Sequence, residues 1–199
     1  MKQPEQTKEA MFINLCDTTG AALEHLGMAL GWDPVQPRRF GGRTRDIDLN
    51  AAALLFAGTQ IIDVVYHEQL SSRDGSVRHL GDSMTGEGKG DNEVVTVDLT
   101  RIPPQVDTIL FLVTSYTGQS FDQIDNAFCR VIDSTSGTEI AHYNLSGGAH
   151  TGLVMGKVVR AANFWRFEPL GATIHAQHPV EAVPHMAPFL TTPQTSSDT

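Results

Sequence analysis

Two stretches of this chain concentrate oxygen-bearing side chains at spacings that suit a hard cation. Asp46-Ile47-Asp48-Leu49-Asn50 alternates acidic or amide residues with large aliphatics. On a strand, residues two apart share a face, so Asp46, Asp48 and Asn50 point one way while Ile47 and Leu49 enter a core. Taken alone, the pattern fits an exposed polar strand face equally well. The second stretch runs from Gly81 to Glu93 and holds four glycines in ten residues, with Asp82, Glu87, Asp91, Asn92 and Glu93 supplying side-chain oxygens. Its bland reading is an ordinary flexible Gly-rich loop. Calcium takes about six to eight oxygen ligands, backbone carbonyls included, in irregular geometry. The loop has no sulfur ligand but Met84 and no histidine, which disfavours zinc and copper. Magnesium prefers a compact octahedron with several waters, so calcium is the better match. Carboxylates gathered in one place repel each other strongly, and a cation relieves that repulsion.

Other chemistries find little support. The D-x-D-x-D-G-x5-E order of an EF-hand is missing, and the Gly-rich run lacks the Lys-Ser/Thr ending of a phosphate cradle. No G-x-S-x-G elbow or H-E-x-x-H helix is present, and the eight histidines are scattered. A metal-dependent hydrolase with His67 or His79 as general base is the enzymatic alternative. A lone histidine on a strand is more often a satisfied structural residue. The expected function is therefore non-enzymatic. A net charge of -9 opposes nucleic-acid binding, which rests on Lys and Arg neutralising phosphates. Cys16 and Cys129 lie in separate apolar stretches and read as free thiols. Residues 1–10 lack an apolar h-region and no run reaches the length of a membrane span, so the expected compartment is the cytoplasm.

The elements that must position these residues read as strands. Short apolar segments occupy 51–56, 61–66, 93–99, 108–115, 127–133, 139–144, 152–160 and 163–169. Arg73-Asp74-Gly75-Ser76 and Ser134-Thr135-Ser136-Gly137 have the composition of tight turns, in which Asp74 is structural. Residues 9–30 are ambiguous, but Gly20, Gly27, Gly31 and Thr18-Thr19 favour extended backbone. Ser120 with Gln123 three residues on can cap a short helical turn within 119–126. The spacing predicts an all-β antiparallel sandwich with few short helices and the acidic loops at one end. It divides into an N-terminal arm (1–10), a sandwich domain (11–174) and a C-terminal tail (175–199). Four prolines and a Ser/Thr-rich end suggest that this tail buries too little to offset its ordering entropy, though Met186, Phe189 and Leu190 could anchor it.

At its chemistry-bearing residues the chain resembles the TerD family of tellurite-resistance and stress-response proteins. The resemblance rests on Gly31-Trp32-Asp33, on Asp46-Ile47-Asp48-Leu49-Asn50-Ala51, and on Tyr66, Leu70, Ser72, Asp74-Gly75-Ser76-Val77, His79, Gly81 and Asp82. It continues through Thr85 to Glu93, Asn126-Ala127-Phe128 with Arg130, and Gly137-Thr138-Glu139-Ile140-Ala141, and so spans about 12–171. It implies a β-sandwich similar in outline to calcium-dependent phospholipid-binding domains, with acidic loops for up to two calcium ions. It also implies a scaffold with protein partners in a stress-response complex near the membrane surface. The alternative is a structural component of a larger assembly that binds no metal.

The chain departs from the family pattern at Asn50, Ser83, Lys89 and Asn92. Three of these changes remove a carboxylate and Lys89 adds a positive charge, which should weaken calcium and could remove one ion. The N-terminus also lacks some opening-strand residues typical of the family. The expected ligands are Asp46, Asp48, Asp82 and Asp91, followed by Glu87, Asn92 and Glu93. Asp33 is an additional ligand or a turn residue, and Trp32 reads as core. Neither cysteine has the electropositive, exposed setting that direct tellurite chemistry would need.

Overall fold

In a computed structural model, residues 12–34, 46–86 and 90–191 are described. Eleven strands are joined throughout by antiparallel pairing. In chain order they are β1 (Ile13–Asn14), β2 (His25–Gly31), β3 (Leu49–Ala57), β4 (Gln60–Val65), β5 (Val77–His79) and β6 (Glu93–Asp98). There follow β7 (Thr108–Ser115), β8 (Phe128–Asp133), β9 (Glu139–Asn144), β10 (Gly152–Arg160) and β11 (Trp165–Ile174). One sheet has the order β1-β11-β10-β7-β3-β4 and the other β5-β6-β2-β8-β9. The eight expected strands and the leaning toward strand within 9–30 are all found. The three-residue β5, too short to show a period, was not anticipated.

The strand sequences reflect how many of their faces are covered. Along β6 and β8 burial alternates, because one face meets the opposite sheet and the other meets solvent. Along β3 and β7 nearly every residue is buried. Their odd-numbered residues, such as Leu49, Ala51, Ala53, Leu55, Ile109, Phe111 and Val113, join Leu26, Met28, Leu30, Val95, Val97 and Val131 between the sheets. Their even-numbered residues, Ala52, Leu54, Phe56, Leu110 and Leu112, form a second core on the outer face.

That second core corrects the reading of the C-terminal segment. Residues 175–191 carry α1 (Pro179–Ala182), a 3-10 turn (Val183–His185) and α2 (Ala187–Leu190), and they pack on the outer face through Ala176, Ala182 and Met186. Met186 is one of the three anticipated anchors, and the other two, Phe189 and Leu190, pack beside it. The buried Lys157 ammonium adds a polar fastening, 3.1 Å from Glu168 and donating to the Phe189 carbonyl at 2.8 Å. Prolines stop long helices, but they do not stop short ones from presenting apolar side chains to a waiting surface. The expected arm at 1–10 and the end of the tail lie outside the described residues.

Local signals behave as their chemistry dictates. Asp74 accepts from the Ser76 amide at 2.8 Å around Gly75, whose φ is +74°. Ser120 precedes the 3-10 turn Phe121–Gln123, and its amide donates to the Gln123 side chain at 3.3 Å. Both cysteines are free thiols, and burial pushes the Cys129 thiol far up in pKa. Among the described residues no helix is long and apolar enough to cross a membrane.

Candidate metal centre

The acidic end is built where β3 and β6 begin. Ile47 and Leu49 enter the inter-sheet core, as the alternation required, and thereby fix the direction of the backbone through Asp48. Glu93 opens β6 and pairs in register with Leu30 of β2. Asp82 comes from the loop after β5. Oxygen atoms of Asp48, Asp82 and Glu93 lie within 4.8 Å of one another. Asp48 and Glu93 are buried while Asp82 is exposed, so the cluster is closed on the protein side and open toward solvent.

Each member is held differently. Glu93 is fully buried and its carboxylate accepts from the Ala51 amide at 2.8 Å and the Ser83 amide at 3.2 Å, with His79 Nε2 also 3.2 Å away. Burial raises its pKa and these partners oppose the rise. Asp48 accepts from the Asn50 amide group at 3.1 Å, and its own amide donates to Thr117 Oγ1 at 3.0 Å. Burial first, then the charges of Asp82 and Glu93, push the Asp48 carboxyl up to about 7. Repulsion between unit charges at this range is about 3 kcal/mol per pair at an effective dielectric of about 20. The end therefore attracts either a proton or a cation.

The donor set fits a hard divalent ion. The three carboxylates come from separate segments, no imidazole or sulfur belongs to the cluster, and the Asn50 side-chain oxygen beside it is buried with no hydrogen-bond partner. Buried oxygens are rarely left unpaired, which makes Asn50 a further candidate donor despite its lost charge.

The other expected ligands are distributed elsewhere. Asp91 is engaged by Arg130, whose guanidinium donates to both its oxygens at 3.1 and 2.7 Å. Asn92 accepts from the Trp32 amide at 2.8 Å and so braces the backbone after β2. Asp33 accepts from Asn126 at 2.5 Å, at the edge of a cleft of about 620 Å³ that Trp32, Phe128 and His142 also line. Asp46 is exposed, and its carbonyl accepts from Gln119 at 3.2 Å. Glu87 and Lys89 fall outside the described residues.

Trp32 explains how the loop reaches the strand. Its indole donates to the Ile47 carbonyl at 3.0 Å, one residue from Asp48. Gly86, with φ at +70°, lies so close that an added Cβ would sit 2.4 Å from the indole nitrogen. At Gly31 an added Cβ would meet the Gly90 carbonyl at 2.5 Å. The Gly31-Trp32 pair thus lets the Gly-rich loop settle on the strand end that carries Asp48. Sequence reasoning gave His79 no part here except as a general base. No local signal sets it apart from the other scattered histidines, because β5 is too short for the alternation that turns Val77 and His79 inward to be read in advance.

These features define an all-β, two-sheet sandwich with a carboxylate cluster at one end. The chain belongs to the TerD domain family, whose model matches residues 12–178. It is 44% identical to tellurium resistance protein TerZ of Serratia marcescens, over 76% of this chain and 81% of that protein. It is 34% identical to stress response protein SCP2 of Bacillus subtilis, over 76% of this chain and 83% of the relative. A solved homologue of telluride resistance protein (TerD) from Streptomyces coelicolor A3(2) shares the fold, with a TM-score of 0.72 at 22% identity, over 83% of this chain and 98% of that one. By family, this is a tellurium-resistance and stress-response protein.

Proposed function

We propose that this protein is a calcium-binding, non-enzymatic stress-response module that serves as a scaffold or binding protein, with Asp48, Asp82 and Glu93 as the core of its ion site. The observation that carries the reading is the convergence of these three carboxylates, two of them buried, within 4.8 Å. Calcium would neutralise the cluster, draw the exposed loop of Asp82 onto the end of β3, and leave positions for backbone carbonyls and water. Asn50 would enter as a neutral oxygen donor. The engagement of Asp91 by Arg130 leaves one compact all-carboxylate cluster among the described residues, which supports a single calcium ion over two. The familial names describe resistance and stress rather than a reaction, which supports a binding role. The partners would be other proteins of a stress-response assembly, in the cytoplasm or at a membrane surface.

A metal-free structural role is the second reading, favoured by the Glu93 carboxylate already being held by two amides and His79. Thermal denaturation separates the two. A ligand that binds only the folded state at about 100 times its Kd stabilises by about 2.7 kcal/mol, and so raises Tm. Calcium should raise the Tm of the native protein and leave that of Asp82→Ala nearly unchanged. An equal calcium shift in both proteins would reject the assignment.

A further inference from the structure

A second cluster lies outside the acidic triad, where the β4 end meets the C-terminal segment. Tyr66 and Gln69 exchange both backbone hydrogen bonds, at 3.1 and 3.0 Å, so His67 and Glu68 are the two central residues of a tight hairpin turn. The turn is braced by Asp63, which accepts from the Gln69 side chain at 2.6 Å and from the Arg73 amide at 2.9 Å. His178 arrives from the far end of the chain as the residue capping α1. Its Nε2 is 3.6 Å from one oxygen of Glu68, while His67 Nε2 is 4.0 Å from the other.

We propose that His67, Glu68 and His178 form a transition-metal site, taking a divalent ion of the zinc class through two imidazole nitrogens and one carboxylate oxygen, with a fourth position open to water. The three residues each present a ligand atom within 4.8 Å of the others. Two imidazoles and a carboxylate suit zinc, copper or nickel far better than calcium. The usual account of a buried histidine, a ring satisfied by hydrogen bonds, holds for His79 against Glu93 and fails for His67. The His67 side chain is only 12% exposed, yet its Nδ1 is buried without a partner and its Nε2 has only the distant Glu68 oxygen.

The surroundings resemble the outer shell of a metal site. The Tyr66 hydroxyl donates to Glu68 at 3.1 Å and orients the carboxylate. The Tyr66 ring meets both imidazoles edge-on, each at 5.2 Å between centroids, and Tyr116 closes on His67 at 5.5 Å. Glu68 is 57% exposed, which gives an ion its way in and water its position. The Val180 amide donates to His178 Nδ1 at 3.2 Å. Metal on Nε2 puts the ring proton on Nδ1, so uptake exchanges this cap for a coordinate bond. The ion would join the β4 hairpin to the C-terminal segment. This site goes beyond the calcium reading and does not depend on it.

The test uses the full, tag-free chain, stripped of metal and held in excess calcium, and titrated with zinc against a chromophoric chelator. One equivalent of zinc should bind, at least tenfold more weakly in His67→Gln and in His178→Asn. Asparagine at 178 can still cap α1, so this variant removes the ligand without removing the cap. Cobalt should give a visible ligand-field band in the native protein that both variants lose. Asp82→Asn, which removes a charge felt at His67 but no ligand of this site, should keep more zinc affinity than either histidine variant. Native-like zinc affinity in both histidine variants, absence of the cobalt band, or loss of zinc in Asp82→Asn would each overturn the proposal.

Discussion

At Asp48 a carboxyl group is drawn into the protein beside two others, and its pKa rises from 3.8 to about 7. The unfolded chain releases this proton near 3.8 whereas the metal-free folded chain retains it to about 7. The folded state therefore binds more protons within that window, and this group's contribution to stability falls as pH rises through it. The Tm of the metal-free protein should carry a negative pH slope there, which Asp48→Asn should flatten. At about pH 8, Asp48→Asn should raise the metal-free Tm by roughly 2–8 °C, as about 1–2 kcal/mol of relieved burial and repulsion would in a chain of this size. Calcium should stabilise the native protein more above this window than below it, because ion and proton compete; denaturation scans at several pH values test both statements. Glu93→Ala should behave differently, costing about 3–5 kcal/mol with or without calcium, because it strands the buried donors of Ala51 and His79 and the part-buried Ser83 amide. Chemical denaturation measures that loss. Asp48, Asp82 and Glu93 were legible in the sequence as oxygen donors at suggestive spacing. Asp91 looked equivalent in the sequence, but the folded sheet brings Arg130 onto both its oxygens, a pairing that no local spacing reveals.

The Gly-rich loop and the end of β2 act as one fitted unit, with Trp32 wedged between Gly86 and the Ile47 carbonyl. Gly86→Ala should both strain a positive φ and collide with the indole, destabilising by about 2–4 kcal/mol and shrinking the calcium-induced Tm shift. Gly90→Ala is the control: its φ is +90° but nothing stands within 4 Å of an added Cβ, so it should cost only about 1–2 kcal/mol. Paired melting curves with and without calcium distinguish these outcomes. The strands themselves were readable because apolar runs of strand length alternate with turn residues. The reason for Gly31-Trp32 was not readable. It depends on a backbone approach between segments that are far apart in sequence.

Over the whole molecule, the six-stranded sheet is covered on both faces, by the second sheet and by the C-terminal segment. The sequence hinted at this double burial in β3 and β7, whose unbroken apolar runs do not suit a sheet with one wet face. The prolines and Ser/Thr-rich end of 175–199 gave no sign of the short helices that cover this face, although Met186, Phe189 and Leu190 stood out as anchors. A chain ending at Ile174 should expose Leu54, Phe56, Leu110 and Leu112, leave Lys157 without its Phe189 partner, and bind hydrophobic dyes or aggregate. At this scale, too, the proposed ion site is a meeting of both sheets, with Asp48 preceding β3 in one and Glu93 opening β6 in the other. Anomalous scattering from a crystal grown in calcium tests that meeting most directly. We predict a calcium peak at about 2.3–2.6 Å from oxygens of Asp48, Asp82 and Glu93. A calcium peak only at Asp91 or in the Asp33 cleft, or none at the three carboxylates at saturating calcium, would contradict it.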